Sequence, residues 1–131
     1  MIALPKANLL EQKSPADVLE VRGDGAGAFE VRKWRVDPQA LGFPPSTLAD
    51  LRGGDAAFNA GVIRSVLGGE QGARRDIGIL NAAAALMVAG RVEDLESGLE
   101  LATESIDSGR ALGVLTALVT TSQDELHRQP G

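Results

Sequence analysis

Between Asp76 and Arg91 the chain carries no charged side chain. The stretch ARRDIGILNAAAALMVA, Ala73 to Ala89, reads as one helix, and its apolar residues occupy every side rather than one stripe. A helix that is apolar all round is buried all round. Ala82 to Ala85 offer small side chains that let neighbouring backbones come close. This helix is therefore expected at the centre of whatever it packs in, although a chain of 131 residues has few other elements to surround it. Asn81 stands midway along it, and a buried amide needs a hydrogen-bond partner. It reads as a buried amide tying adjacent backbone together, so Asn81→Leu is expected to harm folding rather than ligand binding.

The other elements follow from period and punctuation. VLEVR (Val18 to Arg22) and AFEVRKWRV (Ala28 to Val36) alternate, and the Gly-rich link Gly23 to Gly27 joins them as a β-hairpin. Phe29 and Val31 lie in one phase, Trp34 and Val36 in the other, so a β-bulge near Arg32 and Lys33 is expected to restore one buried face. Asp37 to Pro45 reads as a loop. A short helix is expected over STLADLR, with Thr47 and Asp50 at capping-box spacing, stopped by Gly53 and Gly54. Asp55 caps the next helix, which runs to about Leu67 with Phe58, Val62, Ile63 and Val66 as its stripe, and Gly68 and Gly69 end it. After the charge-free helix come one from Val92 to Asp107, with Leu95, Leu99, Ala102 and Ile106 inward, and one from Ala111 to about Val119, with Leu112, Leu115 and Leu118. The organisation is thus an irregular lead-in over 1–17, interrupted by Pro5 and Pro15, a folded part over 18–119, and a polar, frayed tail over 120–131. The fold class is α+β, a hairpin followed by about five helices, or the last part of a larger α/β fold.

Charge and composition exclude several functions. The formal net charge is −5, which opposes nucleic-acid binding, and the short basic run VRKWR, Val31 to Arg35, reads as a solvated strand face. With no cysteine, thiolate metal sites, disulfides and cysteine nucleophiles are out. The start of the chain is too interrupted for a signal peptide, and the run Ile77 to Gly90 is too short to span a bilayer. A cytoplasmic protein with no membrane partner is expected.

Two glycine-rich stretches invite a search for a phosphate cradle. GDGAG is followed by a strand, whereas a phosphate loop must open into a helix. RGGDAA does open a helix, but Asp55 at its N-cap satisfies the free N–H groups and would compete with an incoming phosphate. No Lys or Ser/Thr follows, as a Walker loop requires. The one histidine, His127, lies in the tail with no nucleophile or acid held beside it. Glu93, Asp94 and Glu96 open a helix, where negative charge suits the dipole. Glu11 beside Gln12 is a poor set of ligands for a hard cation. No residue is assigned to catalysis, to a cofactor or to a metal.

Three stretches, LADLRGGDAAFNA (Leu48 to Ala60), ARRDIGILNAAAALMVAG (Ala73 to Gly90) and ESIDSGRAL (Glu104 to Leu112), in this order and spacing, resemble the C-terminal part of anthranilate phosphoribosyltransferase. The resemblance implies the C-terminal segment of the α/β domain of the anthranilate phosphoribosyltransferase and nucleoside phosphorylase-like fold. It marks Gly53, Gly54, Asp55, Asn59, Asp76 and Asn81 as structural motif positions. The family transfers a phosphoribosyl group from phosphoribosyl pyrophosphate to anthranilate, with magnesium, in tryptophan biosynthesis. This chain departs from the family at Phe58, where an acid is usual, and it lacks the Gly-Thr-Gly-Gly-Asp loop, the Lys-His-Gly-Asn stretch and the anthranilate-binding arginine. The magnesium Asp-Glu pair would fall near Glu11 and Gln12 without matching surroundings, so no metal role is carried onto them. The implied state is a segment that is inactive alone and that binds no cofactor by itself. Its partner is a complementary N-terminal part of the enzyme or another copy of itself. The alternative is a non-catalytic interaction module derived from the enzyme, with Leu4, Leu9 and Leu10 of the lead-in covering the apolar helix.

Overall fold

The computed structural model describes residues 2–3 and 15–128, so Leu4, Leu9, Leu10, Glu11 and Gln12 lie outside the described residues. A small antiparallel sheet leads into four helices: β1 (Ile2–Ala3), β2 (Ala16–Gly23), β3 (Phe29–Val36), α1 (Ala56–Leu67), α2 (Ala73–Val88), α3 (Leu95–Asp107) and α4 (Arg110–Arg128). The sheet order is β1-β2-β3.

The hairpin needs no bulge. Its register is continuous, from Ala16 opposite Val36 to Gly23 opposite Phe29. One face carries Ala16, Val18, Trp34 and Val36, and the other carries Leu19, Val21, Val31 and Phe29. Both phases of β3 are apolar because both faces of the ribbon are. The inner face is packed, with Val18 fully buried, while Phe29 and Val31 of the outer face are exposed. The turn is held by Asp24, whose Oδ1 accepts from the N–H groups of Ala26 (2.7 Å) and Ala28 (3.1 Å). Gly25 and Gly27 supply the left-handed backbone that this turn requires, at φ 77° and 100°.

The core lies between the inner face of the hairpin and the α2–α3 pair. Val18 and Val36 pack with Leu80, Ala83 and Leu95, and Trp34, Leu41, Phe43, Met87 and Leu99 close around them. Ile79, Ala102 and Ile106 extend the core along α2 and α3 toward Leu67 and Ala111. Burying a side chain such as Val18 contributes about 2 kcal/mol. The two helices approach closely at Gly98, where a Cβ would meet the Ala83 carbonyl oxygen at 2.9 Å and its Cα at 3.0 Å. Asp94 caps α3 by accepting from the Ser97 N–H at 2.8 Å, so this helix starts at Leu95 rather than Val92.

Four further expectations are corrected. Thr47–Arg52 forms successive four-residue turns, with Asp50 N–H donating to Thr47 O and Arg52 N–H to Ala49 O, and not a helix. The capping-box contact is still made, since the Asp50 carboxylate accepts from the Thr47 N–H at 2.7 Å and its hydroxyl at 2.8 Å. The segment is simply halted by Gly53 and Gly54 before a second helical turn can form. The last helix does not end near Val119 but continues to Arg128, because nothing after Gly113 breaks it before Pro130. Asn81 is exposed, and its Nδ2 donates back to Ile77 O at 2.9 Å. Lastly, α2 is not buried on every side: Arg75, Ile79, Leu80 and Ala83 form its buried face, while Gly78, Asn81, Ala82, Ala85 and Val88 are exposed. Among the described residues, the hairpin and α3 cover one face of the helix, α1 and the glycine-rich turn touch its first turns, and the face from Gly78 to Val88 is left exposed.

Candidate functional site

Two helix starts face each other across one groove, and their chemistry differs. At the start of α1, the glycine-rich turn consumes its own donors. Asp55 Oδ1 accepts from the Phe58 N–H at 2.8 Å. Asn59 reaches back to Gly54, accepting from its N–H at 3.0 Å and donating to its carbonyl at 2.9 Å. Gly53 and Gly54 are pressed against this cap, and a Cβ on either would meet Asn59 or Phe58 at 2.9 Å. The four positions therefore form one closed hydrogen-bonded knot, with a carboxylate where an anion would sit. Phe58 finds no apolar pocket. It is about half exposed and lies under the Arg74 guanidinium, 5.5 Å from the ring centroid.

The start of α2 is open. Its N-cap is Gly72, at φ 128°, and no side chain accepts from the first-turn N–H groups. Arg74 donates to Arg52 O at 3.0 Å, which ties α2 to the glycine-rich turn. Arg75 is 4% exposed and donates through Nη2 to Asp107 at the end of α3, at 2.8 Å. Its Nη1 is buried without an acceptor. Asp76 follows in the same turn, and burial pushes its carboxyl above the usual range despite the neighbouring Arg75. Around this start lies an open groove of about 750 Å³, walled by Pro44, Pro45, Phe58, Val62 and Val66. Asp50 and Glu70 also line it, so the groove mixes cations with carboxylates. Thr47 holds the Asp50 carboxyl below the usual range by donating from its backbone and side chain. Sequence reasoning missed this groove. The visible signal was a glycine without a capping side chain followed closely by two arginines, GARR.

The basic strand is largely paired within the hairpin, three cations meeting two carboxylates. Asp17 accepts from Lys33 Nζ and Arg35 Nε, both at 3.1 Å, and these cations hold its carboxyl below the usual range. Arg32 stands 3.8 Å from Glu30, and Arg22 pairs with the buried Glu20. Trp34 is half-buried with its indole N–H unpartnered. His127 falls in the last turn of α4. Among the described residues no three His, Cys, Asp or Glu gather where a metal could be held. The donors near the groove, Asp50 already engaged by Thr47 and Glu70 alone, do not fit magnesium. No helix among the described residues is long and apolar enough to cross a membrane.

The geometry can be set against known proteins. A family model described as "Glycosyl transferase family, a/b domain" matches residues 7–112. The anthranilate phosphoribosyltransferase of Caulobacter vibrioides is 50% identical over 108 residues, covering 76% of this chain and 32% of that protein. That of Methanosphaerula palustris is 43% identical over 109 residues, covering 83% and 31%. The crystal structure of anthranilate phosphoribosyltransferase from Thermus thermophilus superposes with a TM-score of 0.64 at 32% identity, covering 78% of this chain and 34% of that one. The chain thus spans about a third of the length of the curated relatives it matches. The hairpin, the glycine-rich turn, the start of α2 and the α2–α3 pair all fall inside the matched residues, and the chain belongs to the glycosyl transferase family, in its a/b domain.

Proposed function

We propose that this chain is the scaffold-bearing third of an anthranilate phosphoribosyltransferase, serving tryptophan biosynthesis in the cytoplasm. In this reading it works only together with the polypeptide that makes up the rest of such an enzyme. The single observation that carries the reading is a family match over most of the chain beside coverage of only about a third of each relative. Two features support it. The glycine-rich turn spends its carboxylate and amides on itself, so it serves to turn the chain and cap α1 rather than to hold a diphosphate. The described donors do not fit magnesium, so charge matching of a diphosphate falls to residues elsewhere in the enzyme. Nucleic acid and membrane are not partners in this reading.

The test is transfer of the phosphoribosyl group from phosphoribosyl pyrophosphate to anthranilate, followed by the loss of anthranilate fluorescence. No turnover is expected from the chain alone, and turnover is expected when it is combined with the remaining two thirds of a relative. Turnover by the isolated chain would sink the proposal. A second reading, a self-contained interaction module, is favoured by the closed cluster around Val18, Val36 and Leu80. It requires a monomer at every concentration that ignores the complementary part in light scattering.

A further inference from the structure

The hairpin turn brings a carboxyl and a bare backbone amide together in a way the chain does not repeat. Asp24–Gly25 is the one Asp-Gly pair in the sequence, and no Asn-Gly pair occurs. Every residue from Gly23 to Ala28 is exposed. The Asp24 side chain curls forward over the turn, since its Oδ1 accepts from the N–H groups of Ala26 at 2.7 Å and Ala28 at 3.1 Å. A carboxyl that reaches the amide two residues on lies beside the amide between them, that of Gly25. The Gly25 N–H donates to no acceptor among the described residues. Gly25 also lacks the Cβ that would shield its nitrogen, and the space a Cβ would take is open. Two other aspartates precede small residues, and neither has this arrangement. Asp55 reaches past Ala56 to the Phe58 N–H, with the backbone between them fixed by α1. At Asp107–Ser108 the Ser108 N–H is held by Glu104 O at 2.9 Å and the carboxylate by Arg75 at 2.8 Å.

We infer that Asp24 is a modification site, at which the folded turn promotes spontaneous isomerisation of the backbone to isoaspartate. The Gly25 nitrogen attacks Cγ of the neutral Asp24 carboxyl. A Cγ–N bond forms and a Cγ–O bond breaks, and the hydroxyl leaves as water with the amide proton, closing a succinimide ring. Water then opens the ring. Addition at Cγ restores aspartate, whereas addition at the Asp24 backbone carbonyl breaks its bond to the Gly25 nitrogen and routes the chain through Cβ and Cγ. Water is the one co-reactant, and nothing is oxidised or reduced. The product carries an extra backbone carbon in the turn, and the former backbone carbonyl becomes the free carboxylate. Ala26 and Ala28 then lose the acceptor that organises their N–H groups. The disturbance falls at the Gly23–Phe29 end of the ladder, the end away from the Ala16–Val36 pair that joins the core.

The experiment ages the full chain, folded, in mildly acidic buffer made with heavy-oxygen water, beside a sample unfolded in guanidinium chloride. Isoaspartate is located by enzymatic carboxyl methylation and by fragmentation mass spectrometry of the derived peptides. In the folded chain, methyl acceptance and heavy oxygen are expected at Asp24 and not at Asp55 or Asp107. The rate at Asp24 is expected to be at least that of the unfolded sample, which a lability written in the dipeptide alone does not require. Asp24→Glu must close a larger and slower-forming ring, and loss of the signal is expected. Slower isomerisation at Asp24 in the folded chain than in the unfolded one overturns the inference, because the turn then shields the carboxyl rather than presenting it. So does a signal shared with Asp55 or Asp107 in the folded chain, or one that survives Asp24→Glu. The comparison of folded and unfolded chain uses no variant, so it decides the matter even where Asp24→Glu disturbs the turn.

Discussion

At the residue scale, Asp76 shows how a sequence position and its environment can disagree. An acid in the first turn of a helix is favoured by the dipole, yet desolvation dominates here and raises its carboxyl above the ordinary aspartate range. A carboxyl whose folded pKa is raised opposes folding above that pKa, and the opposition fades as pH falls through the raised value toward the unfolded one. Asp76→Asn is therefore expected to raise the melting temperature at pH 7, with the gain shrinking in acid. A scan of melting temperature against pH for both proteins checks it. Asn81 is the opposite lesson. An amide in a charge-free run reads as buried, but exposure is decided by which neighbours exist, and none covers this face among the described residues. With its bond to Ile77 local and exposed, Asn81→Leu should leave the urea midpoint of the isolated chain nearly unchanged, contrary to the sequence expectation. The cap at Asp55 was legible from spacing alone, because N-cap chemistry is settled within a few residues. The open start at Gly72 was not, since its character depends on α1 and the loop at Pro44 standing across from it.

At the element scale, α2 and α3 are joined by two different devices. Arg75 sits at an N-terminus and Asp107 at a C-terminus, so each opposes its own helix dipole, and only the antiparallel neighbour satisfies both. Asp107→Ala strands a buried guanidinium and should cost about 2 kcal/mol, whereas adding Arg75→Met to it should recover part of that loss, because no charge is then left unpaired. Chemical denaturation of the single and double variants reads the difference. The second device is shape. At Gly98 the obstacle to a Cβ is the backbone of Ala83, which is fully buried and has no rotamer to yield. Gly98→Ala should destabilise by about 1–3 kcal/mol by the same measurement, despite the better helix propensity of alanine. Helix periods located α1, α2 and α3 to within a few residues. The α3 stripe of Leu95, Ala102 and Ile106 is buried as its spacing implies. The strand phases misled for a physical reason: alternation reports how many faces are apolar, not how many are covered. For α1 the stripe was visible but its use was not, since none of its residues is buried.

At the scale of the whole molecule, the core is one-sided. The hairpin and α3 enclose one flank of α2, and the apolar share of 44% includes side chains that the described residues alone cannot cover. Family membership could be recognised from three short stretches because their glycines, caps and close helix contacts are local demands of the fold. Which surfaces are faces of a larger body is not a local property, and period and composition do not carry it. The sheet ends in β3, whose outer edge is left unpaired among the described residues. That strand holds Glu30 against Arg32, Lys33 and Arg35, so two such edges laid side by side would repel even with Asp17 counted in. The protection is electrostatic and therefore has a range. It reaches about 10 Å at 0.1 M salt and about 3 Å at 1 M. A solution of the isolated chain that stays clear in dilute buffer should turn turbid as salt is added, by edge-to-edge ribbon growth, and Lys33→Glu should bring that threshold down. On the bench this protein would be purified by ion exchange into weak buffer, and salting it for storage would be the way to lose it.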